Sequence, residues 1–251
     1  MLITDKDRVR RLVSLPDAKP HWTRRLRASK VAIVGMGGLG NTSGLYLAAQ
    51  GVGHLALIDP DKVESHNLGR QILFGPADVG RSKVEAARQA LGSIAPDAFL
   101  EAKKVALTCE NEQTLLTGYD VIVDGLDNWK ARVLLNHFSV RHRIPVVFGG
   151  AIGYEAQVYV VDGGNPCMQC LFGDDPYEEQ DCAVQGVLGP VVGMAGTVQA
   201  QEVLKILLNT GDVLRGRIWT YDAFRNLSRV VPFASRSQCP VCRDKELEYG
   251  R

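Results

Sequence analysis

Two constellations of residues stand out for the chemistry they can support. Four of the six cysteines form two pairs, Cys167-x-x-Cys170 and Cys239-x-x-Cys242, with 68 residues between the pairs. Each pair sits in turn-forming sequence, Asn165-Pro-Cys167 and Gln238-Cys239-Pro, as a tetrahedral thiolate site requires. Four sulfur ligands leave no open coordination position, so Zn2+ held by Cys167, Cys170, Cys239 and Cys242 would be structural. A redox dithiol is the rival reading; it expects a CxxC that opens a helix after a strand, and neither pair is expected to do so. The second constellation is Gly35-Met-Gly37-Gly38-Leu-Gly40, which follows an apolar run and precedes a helical one. A glycine turn there lets backbone N–H groups and a helix N-terminus approach phosphate. Asp59 ends the next apolar run, 24 residues after Gly35, where a carboxylate can accept hydrogen bonds from an adenosine ribose. Turn and carboxylate together predict an adenine-nucleotide site and leave NAD, FAD and ATP open.

The following segment favours a triphosphate. Asp59-Pro-Asp61 leads into Asn67-Leu-Gly-Arg70-Gln71, and Lys83 opens a helix after Gly80-Arg-Ser. A dinucleotide's pyrophosphate is met mainly by the glycine turn, whereas a triphosphate brings more charge. Arg70 offers bidentate guanidinium contacts, Lys83 a point charge for β- or γ-phosphate oxygens, and Asn67 a hydrogen bond to the α-phosphate. No GxxxxGK(S/T) word occurs, so ordinary P-loop chemistry is excluded. Asp127 and Asn128 follow the apolar run Asp120-Val-Ile-Val-Asp124, at the carboxyl edge where open α/β sheets bind ligands. An Asx turn is the bland reading of that segment; beside a triphosphate, Asp127 would hold Mg2+, which prefers oxygen ligands and substrate phosphates. Cys182 reads as a loop residue, a place suited to a covalent nucleophile. Asp174, Asp175, Glu178, Glu179 and Asp181 around it should raise rather than depress a thiol's pKa. Cys109 reads as an inert helix-flanking residue.

These groups need a scaffold that brings strand ends together. Residues 30–35, 54–59, 99–105, 120–124 and 145–149 read as strands, with helices at 41–50, 83–91, 111–116 and 129–142. Such alternation predicts a Rossmann-like, doubly wound, mainly parallel α/β sheet. From Ala151 the pattern changes: strands at 157–161, 217–221 and 227–231 lack crossover helices, which predicts an antiparallel C-terminal extension. An acidic loop (173–185) and a long apolar helix (190–208) lie between them, with Pro190 suited to a helix start. A composition of 45% hydrophobic and 23% charged residues over 251 excludes disorder, collagen-like repeats and a coiled coil. The net charge of +1 conceals an asymmetry, for residues 1–30 hold nine Lys/Arg against three Asp/Glu and the remainder 20 against 25. That balance excludes a broad nucleic-acid face but leaves room for a concentrated anion site. No apolar run approaches the ~18 residues of a membrane span, and the opening residues lack a signal peptide's apolar stretch. A cytoplasmic protein with no membrane partner is expected.

The words Val-Gly-Met-Gly-Gly-Leu-Gly40, Asp59-x-Asp61, Asn67-Leu-x-Arg70-Gln71, Lys83, Asp127-Asn128, Cys167-x-x-Cys170, Gly186-Val-Leu-Gly-Pro190 and Cys239-Pro-x-Cys242 occur in this order along nearly the whole chain. Together they resemble the E1-like activating enzymes, specifically the bacterial MoeB/ThiF group of sulfur-carrier protein adenylyltransferases. The resemblance implies a basic helical arm over 1–30 and a single adenylation domain over 31–251. Residues 31–150 would bind nucleotide, and 151–251 would bind the carrier and hold zinc. It also implies a homodimer that uses MgATP to adenylate the C-terminal Gly-Gly carboxylate of a ubiquitin-like sulfur-carrier protein, giving acyl-AMP and pyrophosphate ahead of thiocarboxylate formation. Gly38, Asp59, Asn67, Arg70, Lys83 and Asp127 match positions that contact ATP or its metal; Gly35, Gly37, Gly40, Asp61, Gln71 and Asn128 complete the matched words. Cys182 matches the candidate thioester or persulfide position. Arg8-Val-Arg10-Arg11-Leu stands where the group has Arg-Tyr-x-Arg-Gln, which maps the arginine inserted by a partner subunit to Arg11 and leaves Arg8 and Arg10 open as substitutes, and Leu126 replaces the usual Thr. With no rhodanese domain, a separate sulfur donor protein is expected. Thiamine, molybdopterin and other thiolation pathways stay open, as does activation of a peptide or tRNA-attached carboxylate. An NAD-dependent oxidoreductase would leave Arg70, Lys83 and the cysteine pairs unexplained.

Overall fold

Lys30–Val34 forms β1, whose last four side chains are buried, because a strand covered on both faces has no solvent side towards which to alternate. Its neighbours are seen in the computed structural model of the chain, which describes residues 8–164, 166–173 and 186–243. The strands are β2 (His54–Ile58), β3 (Phe99–Lys103), β4 (Val121–Asp124), β5 (Pro145–Ile152), β6 (Glu155–Asp162), β7 (Arg217–Asp222) and β8 (Leu227–Pro232). They form one eight-stranded sheet in the order β3-β2-β1-β4-β5-β6-β7-β8. β3 to β5 in that order pair in parallel, and β5 to β8 pair antiparallel. The chain winds outward from β1 to β3, then returns to β4 on the other side of β1. That reversal opens a crevice at the carboxyl ends of β1 and β4.

The helices are α1 (Trp22–Ala28), α2 (Gly38–Ala49), α3 (Lys83–Ile94), α4 (Glu112–Leu116), α5 (Trp129–His142), α6 (Met168–Phe172) and α7 (Gly189–Leu208). Alternate residues of β1 feed two cores. Val31 and Ile33 pack with Leu47 of α2, Leu91 of α3 and Val203 of α7; Ala32 and Val34 pack with Leu116 of α4 and Phe138 of α5. Burying each large apolar side chain contributes about 1.5–3 kcal/mol, so both faces hold the central strands in register.

Several elements differ from the sequence expectation. α2 starts at Gly38 rather than 41, so the end of the glycine word is itself the first helical turn. β5 continues to Ile152, because β6 pairs with it as far as Ile152 opposite Glu155. α7 is, by length and composition, apolar enough to cross a membrane, contrary to the expectation that no run approaches a span. More than half of it is buried inside the fold, where a Cβ on Gly196 would come 2.7 Å from Thr42 Cβ of α2. It is a core helix packed at close quarters.

The described part of the basic arm is not one continuous helix. A 3-10 turn at Leu12–Ser14 precedes α1, and the arm is fastened to the amino-terminal edge of the sheet. Arg8 pairs with Asp97 at 2.8 Å and donates to Ile94 O at 3.2 Å; Arg27 also pairs with Asp97 at 2.8 Å. Partial burial raises the Asp97 pKa, but the hydrogen bond and charge of Arg8 outweigh it and hold the carboxyl below its ordinary value.

Candidate nucleotide site and cysteine centre

The four glycines of the turn do different work. Gly35 has φ +96°, and a Cβ there would lie 2.4 Å from Gly125 O; only glycine meets both demands. A Cβ on Gly40 would lie 1.9 Å from Gly35 O, and one on Gly38 would lie 2.4 Å from Val192 Cγ1 of α7. These two positions let helix meet strand and helix meet helix. Gly37 is the N-cap of α2 and has no side chain to bond the first helical N–H groups; such uncapped donors are what an anion site needs.

Asp59 is buried behind this turn. Its Oδ2 accepts from Met36 N at 2.7 Å and its Oδ1 from Asp61 N at 2.8 Å, which leaves a lone pair on each oxygen for ribose hydroxyls. Burial pushes its pKa up, against the attraction of Lys83. Lys83 reaches Asp61 Oδ2 at 2.9 Å, so an exposed carboxylate aims the ammonium. Asn67 Oδ1 accepts from Glu64 N at 3.0 Å and stabilises its own turn, while Arg70 Nη1 donates to His66 O at 3.2 Å. Gln71 is buried, and its Oε1 has no hydrogen-bond partner among the described residues. Asn41 ties this loop to the glycine turn, donating to Met36 O at 2.8 Å and accepting from Leu73 N at 2.9 Å.

At the end of β4 the chain turns under a second set of ties. Asp124 Oδ1 accepts from Leu126 N at 3.0 Å, and Arg132 Nε of α5 lies 3.1 Å from Asp124 Oδ2. Arg132 Nη2 donates to Leu126 O and Gly149 O, both at 2.6 Å. Complete burial raises the Asp124 pKa, opposed by the Arg132 charge. Gln199 of α7 donates to Asp124 O at 2.7 Å and Val147 O at 3.0 Å. Asp127 stands exposed on the turn. Asn128 Oδ1 accepts from Ala131 N at 2.9 Å and caps α5, so the local turn-and-cap reading accounts for its oxygen.

The four paired cysteines converge on the other face of the sheet. Their Sγ atoms all lie within 4.8 Å of one another; Cys167 and Cys239 are 3.6 Å apart, Cys170 and Cys242 3.4 Å. A tetrahedron with Zn–S bonds near 2.3 Å has sulfur separations of about 3.8 Å, so the donor set fits zinc. Burial and the neighbouring sulfurs push Cys167 up to about 11 and Cys242 higher still. Burial acts the same way on Cys239, but the N–H groups of Cys242 and Val241 outweigh it and hold that thiol below its ordinary value. Cys167 caps α6, which follows β6, so one pair does open a helix after a strand, contrary to expectation. The convergence of all four sulfurs weighs against a redox dithiol, because close approaches of 3.6 and 3.4 Å join one pair to the other.

Residues 9–241 match the ThiF family. The chain belongs to the ThiF family. A SAMP-activating enzyme E1 of Haloferax volcanii is 38% identical over 241 residues, covering 95% of this chain and 89% of its own. A sulfur carrier protein adenylyltransferase of Thermus thermophilus is 37% identical over 247 residues, covering 95% and 91%. The Drosophila yakuba adenylyltransferase and sulfurtransferase MOCS3 is 39% identical over 97% of this chain, which spans about half, 54%, of that relative. Among solved structures, E. coli MccB with ATP matches with a TM-score of 0.79 over 89% of this chain and 69% of its own, at 22% identity. PaaA matches with a TM-score of 0.78 over 94% and 76%, at 24% identity. Both likenesses establish the fold.

Within this ThiF-family chain, Gly35, Gly37, Gly38, Gly40, Asp59, Asp61, Asn67, Arg70, Gln71, Lys83, Asp127 and Asn128 all lie in the glycine turn or in the segments that follow β2 and β4. Arg11 is exposed beside the 3-10 turn, on the segment fastened to the opposite edge. Cys182 and residues 174–185 lie outside the described residues. Sequence reasoning missed Asn41, Arg132 and Gln199. The signal for Arg132 was its place four residues after the cap Asn128, one helical turn along the same face.

Proposed function

We propose that the chain adenylates the C-terminal Gly-Gly carboxylate of a ubiquitin-like sulfur-carrier protein with ATP, releasing pyrophosphate. The observation that supports this reading is the glycine turn packed against the loop backbones that carry Arg70 and Asp127, where a Cβ on Gly38 would lie 3.0 Å from Arg70 O and one on Gly35 2.4 Å from Gly125 O, in a chain that a SAMP-activating enzyme E1 and a sulfur carrier protein adenylyltransferase match along most of their length. The carboxylate is already ionised, so attack on the α-phosphorus needs no general base. An oxygen–phosphorus bond forms to the carrier while the bond to the departing pyrophosphate breaks, and the N–H groups of α2, Arg70 and Lys83 offset the accumulated charge. Asp127 would hold Mg2+, which would supply positive charge to offset that of the phosphates. Asp59 would hold the ribose. Zinc on the four cysteines would be structural, pinning residues 239–242 beside α6.

Residues 31–150 are assigned to nucleotide and 151–251 to the carrier and zinc, within a cytoplasmic homodimer supplied by a separate sulfur donor. The arm favours the dimer reading: Arg11 sits at the edge of the sheet away from its own glycine turn, so it would serve the site of a second copy. Cys182 belongs to a step after adenylation. Mixing the protein with MgATP and a Gly-Gly-ending carrier should give a carrier adduct heavier by one AMP moiety in intact-mass analysis. A folded, zinc-loaded protein that forms no adduct across a panel of such carriers refutes the proposal.

A further inference from the structure

We infer that Arg132 is the positioning residue of the nucleotide site, holding the 124–127 turn so that Asp127 faces the phosphate crevice. This rests on the reading of Asp127 as the Mg2+ ligand. One guanidinium makes three ties within that turn and the adjoining strand: Leu126 O and Gly149 O at 2.6 Å each, and Asp124 Oδ2 at 3.1 Å. From the other side, Gly125 N donates to Val34 O at 2.7 Å, and a Cβ on Gly125 would lie 2.3 Å from Gly35 O. The turn is therefore clamped between the glycine turn and Arg132, while Asp127 itself stays exposed at its tip. An arginine serving only solubility would extend into water, yet this side chain is 17% exposed, its Nη2 donates to two backbone oxygens and its Nε faces the buried Asp124 carboxylate as an ion pair. A lysine would keep the charge beside Asp124, but a compact ammonium cannot span Asp124 and both carbonyls.

The discriminating variant is therefore Arg132→Lys, with Asp124→Asn/Arg132→Gln as a second that removes the buried charges together and avoids leaving Asp124 unpaired. The readout is the Mg2+ concentration for half-maximal carrier-dependent ATP–pyrophosphate exchange. Arg132→Lys should raise it about 10–100-fold, the size of effect expected when a partner orienting a metal ligand is lost, with carrier KM, Mg2+-free ATP affinity and zinc content unchanged. Asp127→Asn should raise it as well, and adding Arg132→Lys to Asp127→Asn should change nothing further, because both act through one carboxylate. Multiplicative losses in the combined variant, or a parallel loss of Mg2+-free ATP affinity, overturn the positioning role. If Asp127→Asn shifts the requirement and both Arg132 variants do not, the positioning role alone fails. If Asp127→Asn leaves the requirement unchanged, the Mg2+ reading falls and the inference falls with it.

Discussion

The same substitution at two helical glycines should have opposite effects. Replacing an interior helix glycine by alanine ordinarily stabilises by about 0.5–1 kcal/mol, because glycine loses more backbone entropy on folding. Gly92 of α3 meets that condition: an added Cβ would find only Leu100 Cδ1, at 3.9 Å. Gly92→Ala should raise the thermal midpoint by about 1–4 °C, given roughly 2–4 °C per kcal/mol for a chain of this size. Gly40 of α2 does not meet it, since the Cβ would lie 1.9 Å from Gly35 O and 3.0 Å from Gly35 C. The carbonyl must retreat by more than an ångström, and Gly35 is itself tied to β2 through Ile58 O at 2.8 Å. Overpacking of this kind costs about 1–3 kcal/mol, which exceeds the propensity gain. The net loss of about 0.5–2 kcal/mol left after the propensity gain should lower the Gly40→Ala midpoint by about 1–8 °C and weaken ATP binding by prising α2 from the turn. Paired thermal melts and nucleotide titration read both effects. A Gly40→Ala protein as stable as Gly92→Ala, with unaltered ATP affinity, refutes the steric reasoning.

Asp97→Asn should destabilise at neutral pH. Because the carboxyl is held below its ordinary value in the fold, the stability it contributes is present above the unfolded pKa of about 3.9 and is lost as pH falls through the folded one. The two melting curves should converge in acid; a constant gap down to the lowest pH refutes the ion-pair account. Metal analysis should find zinc bound to the wild type and lost in Cys239→Ser, whose midpoint should fall, since metal binding energy is folding energy; no zinc in the wild type, or full zinc retention in the variant, contradicts the four-cysteine site. Lys83→Met should weaken ATP binding at least tenfold with little effect on AMP, tested by calorimetry. Asp127→Ala should abolish exchange and Cys182→Ala should spare it; loss of exchange in a folded Cys182 variant contradicts its assignment to a later step.

The placement of the strand-end residues was legible in the sequence because its signals are local. Gly35 and Gly40 announce a turn that no side chain fits, Asp59 terminates an apolar run, and the CxxC spacing marks four cysteines whose sulfurs converge. The parallel half followed from apolar strands alternating with helices, and the extension from strands lacking crossovers. What escaped depends on partners distant in the chain. Gln199 reads as one polar residue in an apolar helix until α7 lies across Asp124 O and Val147 O. Asn41 looks like a helix residue until Leu73 N is placed beside it. The short helix α6 was hidden by Pro166 and the two cysteines, which read as a loop. α7 passed for an ordinary helix by eye, and only its packing against α2 separates it from a membrane-length segment.

The central claim is tested most directly by ATP–pyrophosphate exchange with and without a carrier that ends in Gly-Gly. The account predicts exchange that requires Mg2+ and the carrier, and that disappears when the carrier's last glycine is deleted. Exchange that proceeds equally without any carrier, or none with a panel of carriers while the protein is folded and zinc-loaded, would contradict it.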